Sequence, residues 1–144
     1  MLNQTSILRV ISKLLIPPIM LFGLYVQFHG DFGPGGGFQA GVIFASAFIL
    51  YALIFGVDNA RKAAPAWLTR LMLASGVLLF GGVGVVSSLM GGGYLNYSVL
   101  ANDVHAGQHL GITLIEFGVG LTVAGAMITI FLIFDGLLRA EEED

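Results

Sequence analysis

The sequence predicts an all-α integral membrane protein, a single membrane domain over residues 1–144 built as a bundle of four transmembrane helices, and three observations carry the prediction. Only 10% of the residues are charged and 56% are hydrophobic, against about 25% charged in an ordinary soluble domain. That is too little charge to cover a water-facing surface. Second, apolar runs occupy residues 7–28, 37–57, 67–90 and 108–138, each long enough to cross a hydrocarbon core of about 30 Å. Third, the six basic residues are unevenly placed: Arg9 and Lys13 lie at the first end of the first span, Arg61, Lys62 and Arg70 lie around the second connection, and Arg139 follows the last span. Basic residues collect on the cytoplasmic side. Both termini and the 58–66 connection are therefore expected in the cytoplasm, with the 29–36 and 91–107 connections outside, in a multi-pass protein of the cell membrane.

The first span carries Pro17-Pro18, which remove backbone donors and are expected to kink the helix. Its basic start followed by an apolar run is signal-peptide-like, but no small-x-small cleavage site follows before His29, so a retained helix is expected. The third span opens near Trp67, and Tyr94 and Tyr97 fall near its far end, where amphipathic rings anchor helices at an interface. The net charge of −3 comes largely from Glu141 to Asp144, read as part of a short acidic cytoplasmic tail over 139–144. No basic patch offers itself to nucleic acid. The absence of cysteine excludes disulfides, thiolate zinc sites and Cys-ligated iron–sulfur clusters.

Between the first two spans lies HGDFGPGGGFQAG, His29 to Gly41. A phosphate loop needs Lys and Ser or Thr after its last glycine, and a dinucleotide fingerprint needs a preceding strand. Neither is present. A linker would not carry its glycine spacing into the next span, yet Gly33, Gly37, Gly41 and Ala45 recur at i, i+4. In a helix that spacing makes a groove without side chains, which lets another transmembrane helix approach closely. Pro34 suits a first helical position. Gly84 with Ser88, and Gly120 with Ala124, repeat the small-xxx-small spacing.

Glu116 is the most informative single residue. Counted from Gln108 it lies about 12 Å along the fourth helix, inside the apolar region. An intramembrane carboxyl costs about 2.5–3.5 kcal/mol on insertion scales and normally faces protein or water. Helical spacing places His109, Thr113, Gly120 and Ala124 near its face, which is expected to meet another helix. The competing roles are a structural hydrogen-bonding group and a member of a proton or water path. His105 and His109 sit at i, i+4 with Asp103 just before them, and His29 and Asp31 are candidates to meet them across the outer surface. All five join Glu116 as proton or ion path candidates. An HxxxH pair alone is weak evidence for metal, and no metal site is expected. Asp135 and Arg139, also i, i+4, read as a structural pair at the cytoplasmic end, and Lys13 as a snorkelling side chain.

The motif Pro34-Gly35-Gly36-Gly37-Phe38, preceded by His29-Gly30-Asp31-Phe32-Gly33 and followed by a glycine-bearing helix, resembles the MnhB/MrpB family of small subunits in multisubunit Mrp-type cation/proton antiporters. The stretch NDVHAGQHLGITLIEFGVG entering the last span is similar too. The resemblance implies a small, cofactor-free and non-catalytic membrane subunit. Its partners would be the other subunits of the antiporter and the lipid bilayer, with Na+ and H+ transported at the level of the complex. It also implies shared ancestry with redox-driven complexes, so a scaffold subunit of a membrane-bound hydrogenase type is the alternative. A self-sufficient enzyme lacks a nucleophile, base or metal constellation. A self-contained transporter would need a path across the membrane that one deep carboxyl does not supply.

Overall fold

In a computed structural model that describes residues 4–30 and 35–143, the chain forms five α-helices. They are α1 (Gln4–His29), α2 (Gly37–Phe55), α3 (Val57–Ala63), α4 (Ala66–Leu89) and α5 (Val104–Glu143), and a 3-10 turn at Tyr97–Val99 precedes α5. Four of them, α1, α2, α4 and α5, are long and apolar enough to cross a membrane, so the fold class is the all-α one expected. α1 continues through Pro17 and Pro18 as one helix. Three boundaries differ from expectation. The 58–66 connection contains α3, because Val57, Ala60 and Ala64 have apolar partners beneath them and are buried. α5 begins four residues before Gln108, at Val104, where Asp103 caps it by accepting from the Ala106 N–H at 3.0 Å. The stretch read as an acidic tail continues α5 through Glu143.

Packing follows the order α1–α2–α5–α4. Gly23 of α1 faces Ala40 and Phe44, Gly41 of α2 faces Gly120 and Val123, and Gly76 of α4 faces Gly118 and Thr122. α1 and α4 therefore run antiparallel to their neighbours, while α2 and α5 run parallel. The bundle has a glycine-rich end, where α1 turns into α2 and α4 into α5, and a basic end.

Helix contacts are made by the smallest side chains. A Cβ built on Gly37 would fall onto the Glu116 carbonyl oxygen and lie 3.0 Å from the Gly120 nitrogen, and one on Gly41 would lie 2.6 Å from the Gly120 carbonyl oxygen. A Cβ on Gly76 would overlap the Thr122 hydroxyl. Farther toward the basic end the seam continues with Ala45, Ala52, Ala60, Ile128 and Leu132, against which Phe48, Tyr51 and Phe131 pack. Gly37, Gly41 and Ala45 all face α5 of the same chain. Gly84, by contrast, meets the Tyr94 ring from the following loop, and Ser88 is exposed.

At the basic end, Asp58 and Arg61 of α3 engage α5. Arg61 lies 3.6 Å from Asp135 and donates to the Leu132 carbonyl at 2.7 Å. Arg139 bridges Asp135 at 3.1 Å and Asp58 at 3.3 Å. The expected Asp135–Arg139 pair belongs to a four-residue network that ties α3 to the end of α5. Lys13 sits 5.8 Å above the Phe55 ring, a cation–π contact between the starts and ends of neighbouring spans.

Enlarging the packed glycines is expected to separate α2, α4 and α5. Gly41→Leu and Gly76→Val should each cost about 3 kcal/mol or more, because backbone rather than a flexible side-chain tip blocks the space. Gly81→Ala and Gly82→Ala, whose Cβ would meet nothing within 4 Å, should leave stability unchanged. Thermal unfolding of the purified variants in one detergent compares the four.

Candidate functional site

The glycine-rich turn and Glu116, two features far apart in the chain, form one site. α2 starts at Gly37 with Gly36 as its N-cap, at φ 140°, a conformation that glycine alone adopts freely. Gly30, after the end of α1, and Gly36 both lie against the face of α5 that carries Glu116. A Cβ on Gly30 would lie 2.7 and 2.9 Å from the two Glu116 carboxyl oxygens, and one on Gly36 would lie 3.1 Å from Oε1. Gly35 folds back onto Val26, 3.3 Å from its carbonyl oxygen by the same measure. Glycines 30, 36 and 37 therefore have separate duties: the first two make room for the carboxyl group, and the third lets the backbones of α2 and α5 touch.

The position of Glu116 differs from the expected one. It lies twelve residues, about 18 Å, from the start of α5, yet it is level with the end of α1 and the start of α2 and is only partly buried. α5 with its preceding loop rises beyond that level, and Tyr97 packs on Gly107 and Gly111 of the rising segment. The carboxyl group thus faces the first turn of α2, where the N–H groups have no intrahelical acceptor and the helix dipole favours negative charge. α2 also carries no side-chain cap of its own.

The other candidates distribute around this point. His105, His109 and Glu116 fall within a sector of about 40° on α5, at about 16 and 10 Å from Glu116 along the axis, and both histidines are exposed. The His109 carbonyl accepts from Thr113 at 2.8 Å. His29 closes α1 beside Gly30, its ring stacked on Tyr25 with centroids 4.9 Å apart. Asp103 serves as the cap of α5. Phe38 is exposed on the first turn of α2. Asp31, Gly33 and Pro34 lie outside the described residues. Among the described residues no three His, Asp or Glu side chains converge as metal ligands.

One polar residue of the site escaped the sequence reading. Gln27, near the end of α1, is 6% exposed, and a Cβ on Gly120 would overlap its Oε1. Gly120 is one turn beyond Glu116, so Gln27 and Glu116 flank Gly37 on the same face of α5. The available signal was the same one that singled out Glu116: a polar side chain inside an apolar run.

The described residues thus define a small multi-pass membrane protein whose helices meet at glycines, with one carboxyl group held beside the turn from α1 to α2. Comparison with known proteins narrows this. Residues 7–129 match the family described as "Domain related to MnhB subunit of Na+/H+ antiporter". The chain is 35% identical over 142 residues to a Staphylococcus haemolyticus protein named "Putative antiporter subunit mnhB2", covering 94% of this chain and 98% of that one. A protein of the same name from Staphylococcus epidermidis is 36% identical over 143 residues, and one from Staphylococcus aureus is 32% identical over 142, with the same coverage. The chain belongs to the MnhB family, a family of transporter subunits.

The contact between Gly30 and Glu116 is measurable. Gly30→Ala pushes only on the tip of the Glu116 side chain, so its cost should be small and Glu116→Ala should remove it, giving a coupling of about 1 kcal/mol or less in a double-mutant cycle. Gly36→Ala should cost about 1–3 kcal/mol and be relieved less, because its backbone strain does not depend on the carboxyl group. Thermal unfolding in detergent reads both cycles.

Proposed function

We propose that this chain is a non-catalytic membrane subunit of a multisubunit Na+/H+ antiporter, in which it contributes to assembly and places Glu116 on a proton or water path. The observation that carries the reading is the closeness of the Glu116 carboxyl group to Gly30 and Gly36, where only a residue without a side chain leaves it room. The carboxyl group sits beside the turn from α1 to α2, on the same face of α5 as His105 and His109. Protons reaching such a group from the glycine-rich end meet titratable side chains first. His29, beside Gly30, belongs to the same approach. The names of the relatives support the antiporter over a redox-driven scaffold complex.

Assembly follows from the exposure of the spans. Only 11% of the α1 window is buried within the chain, and 33% of the α5 window, so most apolar surface is left for lipid and partner subunits. In the proposed orientation the basic end, with both termini and α3, is cytoplasmic, and the glycine-rich end is outside.

The role of Glu116 is tested by cation/proton exchange in inverted vesicles carrying the whole complex. Glu116→Gln preserves shape and should assemble normally while exchange falls about tenfold or more, or its pH optimum moves. Full exchange with an unchanged pH profile in an assembled Glu116→Gln complex would assign the residue a structural role only. The orientation is tested separately, since the chain has no cysteine of its own. Asn59→Cys should react with an impermeant maleimide only from the cytoplasmic side, and Asn96→Cys only from outside.

A further inference from the structure

Glu116 and Asp135 stand nineteen residues apart on α5, about 28 Å along its axis, close to the full thickness of a hydrocarbon core of about 30 Å. Asp135 holds Arg61 and Arg139, and Lys13 lies at the level of Phe55. Charged side chains thus mark one boundary of the core at the basic end. Glu116 therefore stands near the other boundary.

The two directions away from Glu116 along α5 differ in chemistry. Toward the glycine-rich end its face stays polar, with His105 and His109 exposed. α1 closes at His29 and α2 opens at Gly37, so among the described residues no helix of the chain covers that face above the turn. Toward the basic end the next polar side chain is Gln27, packed on Gly120 one turn farther along. Its Nε2 is fully buried and has no hydrogen-bond partner, so water does not reach it. Beyond Gln27 the groove between α1 and α4 is lined by Leu24, Phe44, Met72 and Leu121, and a space that offers water no set of polar partners stays dry. The hydroxyls at this depth are engaged locally: Ser46, Thr122 and Thr129 each donate to a carbonyl three or four residues back on their own helix. The seam of Ala45, Ala52, Ile128 and Leu132 is buried. About 22 Å of such packing separates Gly120 from Asp135.

We infer that Glu116 is a one-sided site: its carboxyl group meets water only at the glycine-rich end, and the chain itself closes the way from Glu116 to the basic end. The inference rests on the reading of Glu116 as a member of a proton or water path. A proton passing through Glu116 toward the basic end then leaves this chain for a neighbouring subunit.

The test uses the antiporter assembly with the full chain in right-side-out and inverted membrane vesicles. The chain has no cysteine, so single cysteines placed in it are read with an impermeant maleimide, and labelled peptides of this chain are mapped by mass spectrometry. Asn96→Cys and Asn59→Cys report the glycine-rich and basic ends. Glu116→Cys should be labelled from the side that labels Asn96→Cys and not from the side that labels Asn59→Cys. Ala124→Cys, farther along α5 at a position 3% exposed, should be labelled from neither. If Glu116→Cys does not assemble, native Glu116 coupled to taurine by an impermeant quaternary carbodiimide gives the same reading. Labelling of Glu116→Cys from the Asn59→Cys side, or equally from both sides, would overturn the inference, because water then crosses the chain. Absence of labelling from either side in an assembled complex would overturn it in favour of a carboxyl group sealed by a neighbouring subunit. Transport is not measured, so the two readings fail separately: unchanged exchange in Glu116→Gln removes the path role and leaves the labelling, while labelling from the wrong side removes the one-sidedness and leaves the loss of exchange.

Discussion

The backbone contact between α2 and α5 is the constraint on which the other features depend. Inside a bilayer there is no hydrophobic gain from pressing two apolar helices together, so association rests on close packing and on polar contacts. Gly37 and Gly41 bring α2 against the Glu116 and Gly120 carbonyls, and the alanine seam carries the contact to Leu132. The parallel course of these two helices leaves α1 and α4 each with a single main neighbour. It also places the start of α2 directly over Glu116.

Polar groups appear where that seam ends. At the glycine-rich end the Glu116 carboxyl fills the hollow made by Gly30 and Gly36. At the basic end Asp58, Arg61, Asp135 and Arg139 bind α3 to α5. The second network is largely exposed, with Arg61 and Arg139 side chains near half accessible, and pairs of that kind stabilise by about 1 kcal/mol or less each. Its service is to fix the short amphipathic helix α3 across the basic end. The Glu116 hollow differs because the space around the carboxyl group is shaped by residues that have no side chain at all.

The spans bury little of their surface within the chain. Leu14, Leu78 and Leu89 stand free on the surface, as does most of α1. A chain whose spans bury so little against each other has most of its apolar area facing outward. That agrees with membership of a family of antiporter subunits.

What the sequence determined by itself was everything that depends on local composition and period: four spans, their approximate limits, the helix-packing groove of Gly37 and Gly41, and the singularity of Glu116 among apolar residues. Residue spacing along one helix is enough for each of these. Which surface fills the groove, and what surrounds the carboxyl group, depend on contacts between segments about eighty residues apart in the chain, and periodicity carries no information about them. Only the tertiary structure joined the glycine-rich turn to Glu116, gave Gly30 and Gly36 different duties from Gly37, and turned the loop after Phe55 into a helix, because each outcome is set by the space that a distant backbone leaves.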